Sequence, residues 1–196
     1  MSSYEKDTRT RILETTWKLL ENHPGRSLSM SEIAKASGMS RQALYLHFAS
    51  RTELLIATTH YVDDVKGLEK RLQRLQSAKS GSERLRRLVL EWGNYIPEIY
   101  GVSKALMMSR DNDEAAAAAW VDIMGCLHDV CGQIVHSLSK ENSLASGWSK
   151  KQATDFIWTM ISIHNWEQLT IECGWSNSQY VSNITRALTT ALISDA

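Results

Sequence analysis

Two prolines, Pro24 and Pro97, are all that this chain of 196 residues contains, and proline is the residue that a helix interior tolerates least. Apolar residues recur at spacings of three and four throughout, and β-branched residues rarely alternate with polar ones. That period lets a helix bury one stripe of its surface. The sequence therefore predicts an all-α fold of about nine helices. With 43% hydrophobic and 22% charged residues, the chain has the composition of a compact globular protein. No run approaches the roughly 18 apolar residues that a membrane span requires. The opening MSSYEKDTRTR offers no apolar core for a signal peptide, so the expected location is cytoplasmic. Cys126, Cys131 and Cys173 are too few, and odd in number, for a disulfide framework. Buried free thiols are expected.

The first helix places Ile12, Leu13, Thr16, Trp17 and Leu20 on one side and ends at NHPG, residues 22 to 25. The second opens at SMSE, where Ser29 and Glu32 have the spacing of a capping box, and is short because Gly38 follows. A long helix is predicted from about Ser50 to Lys79, another up to Ile96, and a shorter one over Val102 to Ser109. RDND, at 110 to 113, is a turn rich in cap residues, and a long helix follows it. Ser149 and Gln152 fit a second capping box, opening a helix from about Lys150 to Glu172. The last helix carries Tyr180, Val181, Ile184 and Leu188. A boundary at the start of the helix near residue 50 divides the chain into a head, 1–52, and a body, 53–196. One continuous helix joining them would explain why no flexible linker appears.

Within the head, the stretch SGMSRQALYLHFASRTELL, residues 37 to 55, has the layout of a helix-turn-helix. Gly38 suits the left-handed position of a tight turn, and Ser40 caps the next helix. At about 100° per residue, Leu44 and Phe48 share the core face of that helix, while Gln42 and Leu46 lie opposite. The surface offered to a partner is Arg41, Gln42, Ala43, Tyr45 and Leu46. Gln can bond bidentately to adenine, and Ala or Leu can touch a thymine methyl. Arg41 and Tyr45 are placed to grip phosphates. Arg51, at the start of the next helix, adds its charge to free backbone N–H groups. Residues 1 to 51 hold eight basic against five acidic side chains, a net of +3 in a chain of net charge zero, which favours a polyanion at this end.

The stretch resembles the DNA-binding signature of the TetR (tetracycline-repressor) family of transcriptional regulators over about residues 8 to 60. The turn glycine, Tyr45, His47, Phe48, the basic Arg51 and Leu54 fall at that family's spacing. The family commonly has Lys where Arg51 stands, a small or hydroxylated residue where Ala43 stands, and an acidic one where Thr52 stands; these departures bear on base preference, not on the fold. The resulting DNA-contacting set is Ser29, Ser40, Arg41, Gln42, Ala43, Tyr45, Leu46, His47 and Arg51. The resemblance implies an N-terminal three-helix head on a helical ligand-binding and dimerisation body, a double-stranded DNA operator and a homodimer.

Six of the seven tryptophans lie beyond residue 55, and aromatic rings with methionines can line an adaptable apolar pocket. Candidates are Tyr61, Val65, Trp92, Met107, Trp120, Met124, His128, Trp158 and His164, which would suit a hydrophobic or aromatic effector. The same residues could instead be ordinary core. The last two helices, with Phe156, Met160, Val181, Ile184, Leu188 and Ala191 near heptad spacing, are read as a dimer interface.

The combined expectation is a repressor that binds a palindromic operator as a dimer and is released by a small molecule. A body that binds a protein partner instead, using the acidic RDNDE or the charged KGLEKRLQRLQSAK, is the alternative. An enzyme is disfavoured. Cys126, His128, Cys131 and His136 crowd one helix, but their offsets scatter the set and no i,i+4 histidine pair is present. No phosphate-binding glycine loop appears either, and no cofactor or metal is expected.

Overall fold

The computed structural model describes residues 3–194, with side chains from Thr8 onward. Ten α-helices run in order along the described residues: α1 (Ser3–Asn22), α2 (Met30–Ala36), α3 (Arg41–His47), α4 (Arg51–Lys66), α5 (Leu68–Gln76), α6 (Gly81–Ser109), α7 (Glu114–Lys140), α8 (Lys150–Met160), α9 (Ile163–Glu167) and α10 (Asn177–Leu192). A π-helical turn, Gln168–Glu172, extends α9. The only β geometry among the described residues is one antiparallel bridge between Leu144 and Ile193.

Three helix boundaries differ from expectation, each for a local reason. The helix predicted from Ser50 to Lys79 is two, because Gly67 adopts φ 68° and donates its N–H to the Asp63 and Asp64 carbonyls, closing α4 with a left-handed cap. The two helices expected on either side of Pro97 are one, α6, with the proline on its exposed side. Tyr95, Ile96, Ile99, Val102 and Leu106 continue one buried stripe through it, which outweighs the lost N–H. The helix expected from Lys150 to Glu172 breaks after Met160. There the Ser162 hydroxyl accepts from the Asn165 N–H and restarts the chain as α9, while Asn165 Nδ2 donates to the Met160 carbonyl at 2.8 Å.

The chain packs as two compact units. The described residues up to Gly67 pack with Glu98–Asp122, and Leu68–Pro97 packs with the described residues from Ile123 onward. In the first unit α1 lies against α2 and α4, and α2 against α3. Ile12, Leu20, Ile33, Leu44, Phe48 and Leu54 fill its centre, each burial contributing about 1.5–3 kcal/mol. In the second, Leu85, Ile134, Val135, Ile157, Tyr180 and Leu188 form the core, and Arg74 forks onto Glu91 with two 2.6 Å bonds that pin α5 to α6. Among the cysteines only Cys131 is buried, where desolvation pushes its thiol up to about 12. Cys126 and Cys173 are exposed, correcting the expectation for those two. No helix among the described residues is long and apolar enough to cross a membrane.

Candidate nucleic-acid interface

The geometry of the site begins at Ser29. Its hydroxyl accepts from the Glu32 N–H while the Glu32 carboxylate accepts from the Ser29 N–H at 2.9 Å, the reciprocal capping box that starts α2. These Ser29 bonds, assisted by Arg26, hold the Glu32 carboxyl below the usual range. Gly38, at φ 68°, turns the chain back, and the Met39 N–H closes on the Ala34 carbonyl at 3.0 Å. A side chain there would be strained, since L-residues avoid that region. Ser40 Oγ then accepts from the Ala43 N–H at 3.1 Å and opens α3.

Leu44 and Phe48 are both 0% exposed and anchor α3 on the core of the first unit. Opposite them Leu46 is 84% and Tyr45 39% exposed, with Arg41 and Gln42 beside them at the surface. Ala43 and His47 are half-buried edges of this face. Arg41 Nη2 donates to the Tyr45 hydroxyl at 3.3 Å, and its guanidinium lies 5.5 Å from the ring centroid, so the two form one cationic, hydroxyl-bearing tip. An exposed apolar residue flanked by an amide, a phenol and a guanidinium is a surface that can read base edges and hold phosphates.

Ser29 and Ser40 use their hydroxyls as caps, and Arg51 turns its guanidinium into the chain. Arg51 Nε donates to the Leu28 carbonyl at 2.7 Å and Nη1 to Ser109 Oγ at 3.1 Å. Arg9, absent from the sequence-based site, donates to the His47 carbonyl at 2.7 Å and lies 4.1 Å from the centroid of the Phe48 ring, holding the end of α3 in place. The signal was available: Arg9 stands three and four residues before Ile12 and Leu13, on the extension of their buried stripe.

The candidate effector residues fall in both units. In the first, the Tyr61 hydroxyl donates to Glu14 at 2.9 Å and its ring meets Trp17 edge to face; Val65 is exposed, Met107 is buried, and Trp120 lies under Arg110. Desolvation and Glu14 together raise the Tyr61 phenol. In the second, Met124, His128 and Trp158 come together. Trp158 Nε1 donates to the Met124 carbonyl at 3.2 Å, His128 meets the Trp158 ring edge to face at 5.6 Å, and His128 Nε2 is 3.0 Å from Asp155. Lys151, then His128, keep the Asp155 carboxyl below its usual range. Trp92 donates elsewhere, to the Ile161 carbonyl, and His164 is exposed. No group of three His, Cys, Asp or Glu side chains among the described residues is placed to hold a metal.

Of the residues read as a dimer seam, Ile184 and Leu188 are 3% and 0% exposed within the chain itself, which corrects the expectation for these two. Val181 packs on Gly93, Phe156 stacks on Trp148 at 4.9 Å, the Ala191 carbonyl accepts from Trp148 Nε1, and Met160 is half-buried. The outer face of α10 is different. Asn183, Arg186, Ala187, Thr190 and Ala191 line, with Trp175, an open groove of about 610 Å³.

A three-helix head whose third helix is anchored by Leu44 and Phe48 and presents Gln42, Tyr45 and Leu46 defines a helix-turn-helix DNA-binding protein. Residues 12–58 match the family described as "Bacterial regulatory proteins, tetR family". Nucleoid occlusion factor SlmA of Marinomonas sp. is 33% identical over 64 residues, covering 33% of this chain and 32% of that protein. The chain spans only 32% to 46% of the length of the curated relatives it matches. In fold it is similar to a candidate transcriptional regulator from Saccharomonospora viridis, solved with choline, at a TM-score of 0.82 and 16% identity over 97% of this chain and 100% of that one. It is also similar to FadR from Bacillus subtilis, solved with stearoyl-CoA, at a TM-score of 0.74 and 12% identity over 92% and 97%. Residues 12–58 are thus a helix-turn-helix region of the TetR type.

Proposed function

We propose that this protein is a repressor: residues 1–52 read a palindromic operator, and residues 53–196 dimerise and bind a hydrophobic or aromatic small molecule that releases the DNA. The observation that carries the reading is the outward face of α3, where Gln42, Tyr45 and Leu46 stand exposed over a helix locked by Leu44 and Phe48. Gln42 is the base reader, Leu46 and Ala43 the apolar contacts, and Arg41 with Tyr45 the phosphate grip. This functional division of the chain cuts across the two packing units, since Glu98–Asp122 packs with the head. Met124 and Trp158, beside the His128–Asp155 pair, are the strongest effector-facing group, offering an aromatic edge next to a carboxylate. The similar folds solved with choline and with stearoyl-CoA support a small-molecule effector. Dimerisation is assigned to the outer face of α10. The protein so read is a cytoplasmic regulator and not an enzyme.

The test is selection of genomic fragments with the purified protein, followed by gel shifts on the enriched site. A palindrome is expected. Tyr45→Ala should weaken binding to every sequence alike, and Gln42→Ala should cost about 1–3 kcal/mol at one base position and relax preference there. Enrichment of nothing at moderate salt would remove the sequence-reading role.

A further inference from the structure

Directly behind the recognition helix, two consecutive residues of α4 are held by the turn between α6 and α7, all within the first unit. Arg51 spans two elements, donating to the Leu28 carbonyl at 2.7 Å and to Ser109 Oγ at 3.1 Å. Ser109 gives its own proton to the Ala105 carbonyl at 2.8 Å, so its oxygen lone pairs face the guanidinium. Thr52, 5% exposed, donates its hydroxyl to Asp113 Oδ2, while Asp113 Oδ1 accepts the Ala116 N–H at 3.0 Å and caps α7. A carboxylate at position 52 could not take this place, because two like charges at hydrogen-bond distance repel. Arg51 follows Phe48, the inner anchor of α3, by three residues.

We infer that Arg51 and Thr52 are positioning residues: with Ser109 and Asp113 they form a clasp that fixes the direction of α3 and thereby the half-site spacing the dimer accepts. The inference rests on the reading of the protein as a dimeric operator binder. A head connected through α4 alone can rock about that helix. Anchors on two successive side chains, pointing to the ends of two different helices, remove that freedom before DNA is met. A rigid pair of heads rejects an operator lengthened by one base pair, which displaces one half-site by roughly 3.4 Å and rotates it by about 35°. Loosened heads bind the native site less well, because they must be ordered on binding, and tolerate the lengthened one better. Arg51 acting through position rather than on a phosphate also leaves the salt dependence of binding intact.

The experiment measures affinity of the full chain for the selected operator and for the same operator with one central base pair added, across a salt series, by fluorescence anisotropy. Variants are Thr52→Val, Thr52→Ser, Ser109→Ala and Arg51→Met, each checked for a folded melting transition. Thr52→Val and Ser109→Ala should lose about 2- to 10-fold in affinity for the native spacing, the range of one missing hydrogen bond. The ratio between the two spacings should shrink, and the salt slope should stay at the wild-type value. Thr52→Ser should restore the ratio. Unchanged spacing ratios in folded Thr52→Val and Ser109→Ala overturn the clasp. So does Arg51→Met lowering the magnitude of the salt slope by about 0.9 for each phosphate it no longer neutralises with the ratio untouched, which would place Arg51 on the DNA backbone. A wild type that selects no palindrome overturns the operator reading and the clasp with it, an outcome distinct from both.

Discussion

Asp113 accepts from the Thr52 hydroxyl and from the Ala116 and Ala115 amides, and these bonds, with the nearby Arg51 charge, hold its carboxyl below the usual range. A carboxyl whose folded value lies below its unfolded one stabilises the fold fully above the unfolded value, about 3.9, and loses that contribution as pH falls through the folded value. Asp113→Asn should therefore melt below the wild type at pH 7, and the gap should narrow at pH 3. Thermal melts at the two pH values check this; a constant gap would assign the effect to shape rather than charge. The outward residues of α3 were legible because they follow from a rotation of about 100° per residue within one short helix. Arg51 and Thr52 were not. Their partners Ser109 and Asp113 stand 58 and 61 residues away, a pairing that only the packed chain defines.

At the scale of elements, the starts were more legible than the breaks. Ser29, Ser40 and Ser149 cap as their spacing implied, because a cap is satisfied within one turn. The interruptions at Gly67 and Ser162 were hidden, since apolar spacing continues past both and periodicity alone cannot separate one helix from two. Pro97 misled in the opposite sense. It lacks the N–H that would bond the Gly93 carbonyl, and a proline inside a helix costs about 3 kcal/mol relative to alanine. Because Pro97 is exposed, Pro97→Ala removes that cost without opening a cavity, though the freer unfolded chain takes back about 0.4–1 kcal/mol. The expected result is a stabilisation of about 2 kcal/mol, read as a higher urea midpoint at unchanged slope. A lower midpoint would mean that the ring itself packs where α6 needs it.

For the molecule as a whole, the stripe that sequence spacing marked as a dimer seam turned out partly to be core: Ile184 and Leu188 are covered by their own chain. Periodicity identifies an apolar face but not what covers it. The opposite side of α10 remains open, with Ala187 and Thr190 exposed beside Arg186. Ala187→Arg introduces no clash within one chain, yet places a hydrated charge in the proposed seam. Sedimentation should show a dimer for the wild type and a monomer for the variant, with operator affinity falling in parallel; a dimeric variant would move the interface off α10. The 84% exposure of Leu46 has a thermodynamic consequence. A regulator that keeps a leucine in water until it meets its base pairs removes apolar surface on binding, which gives a negative heat-capacity change. Its van't Hoff plot for the operator should curve, so the temperature at which it binds most tightly is built into the composition of its reading face.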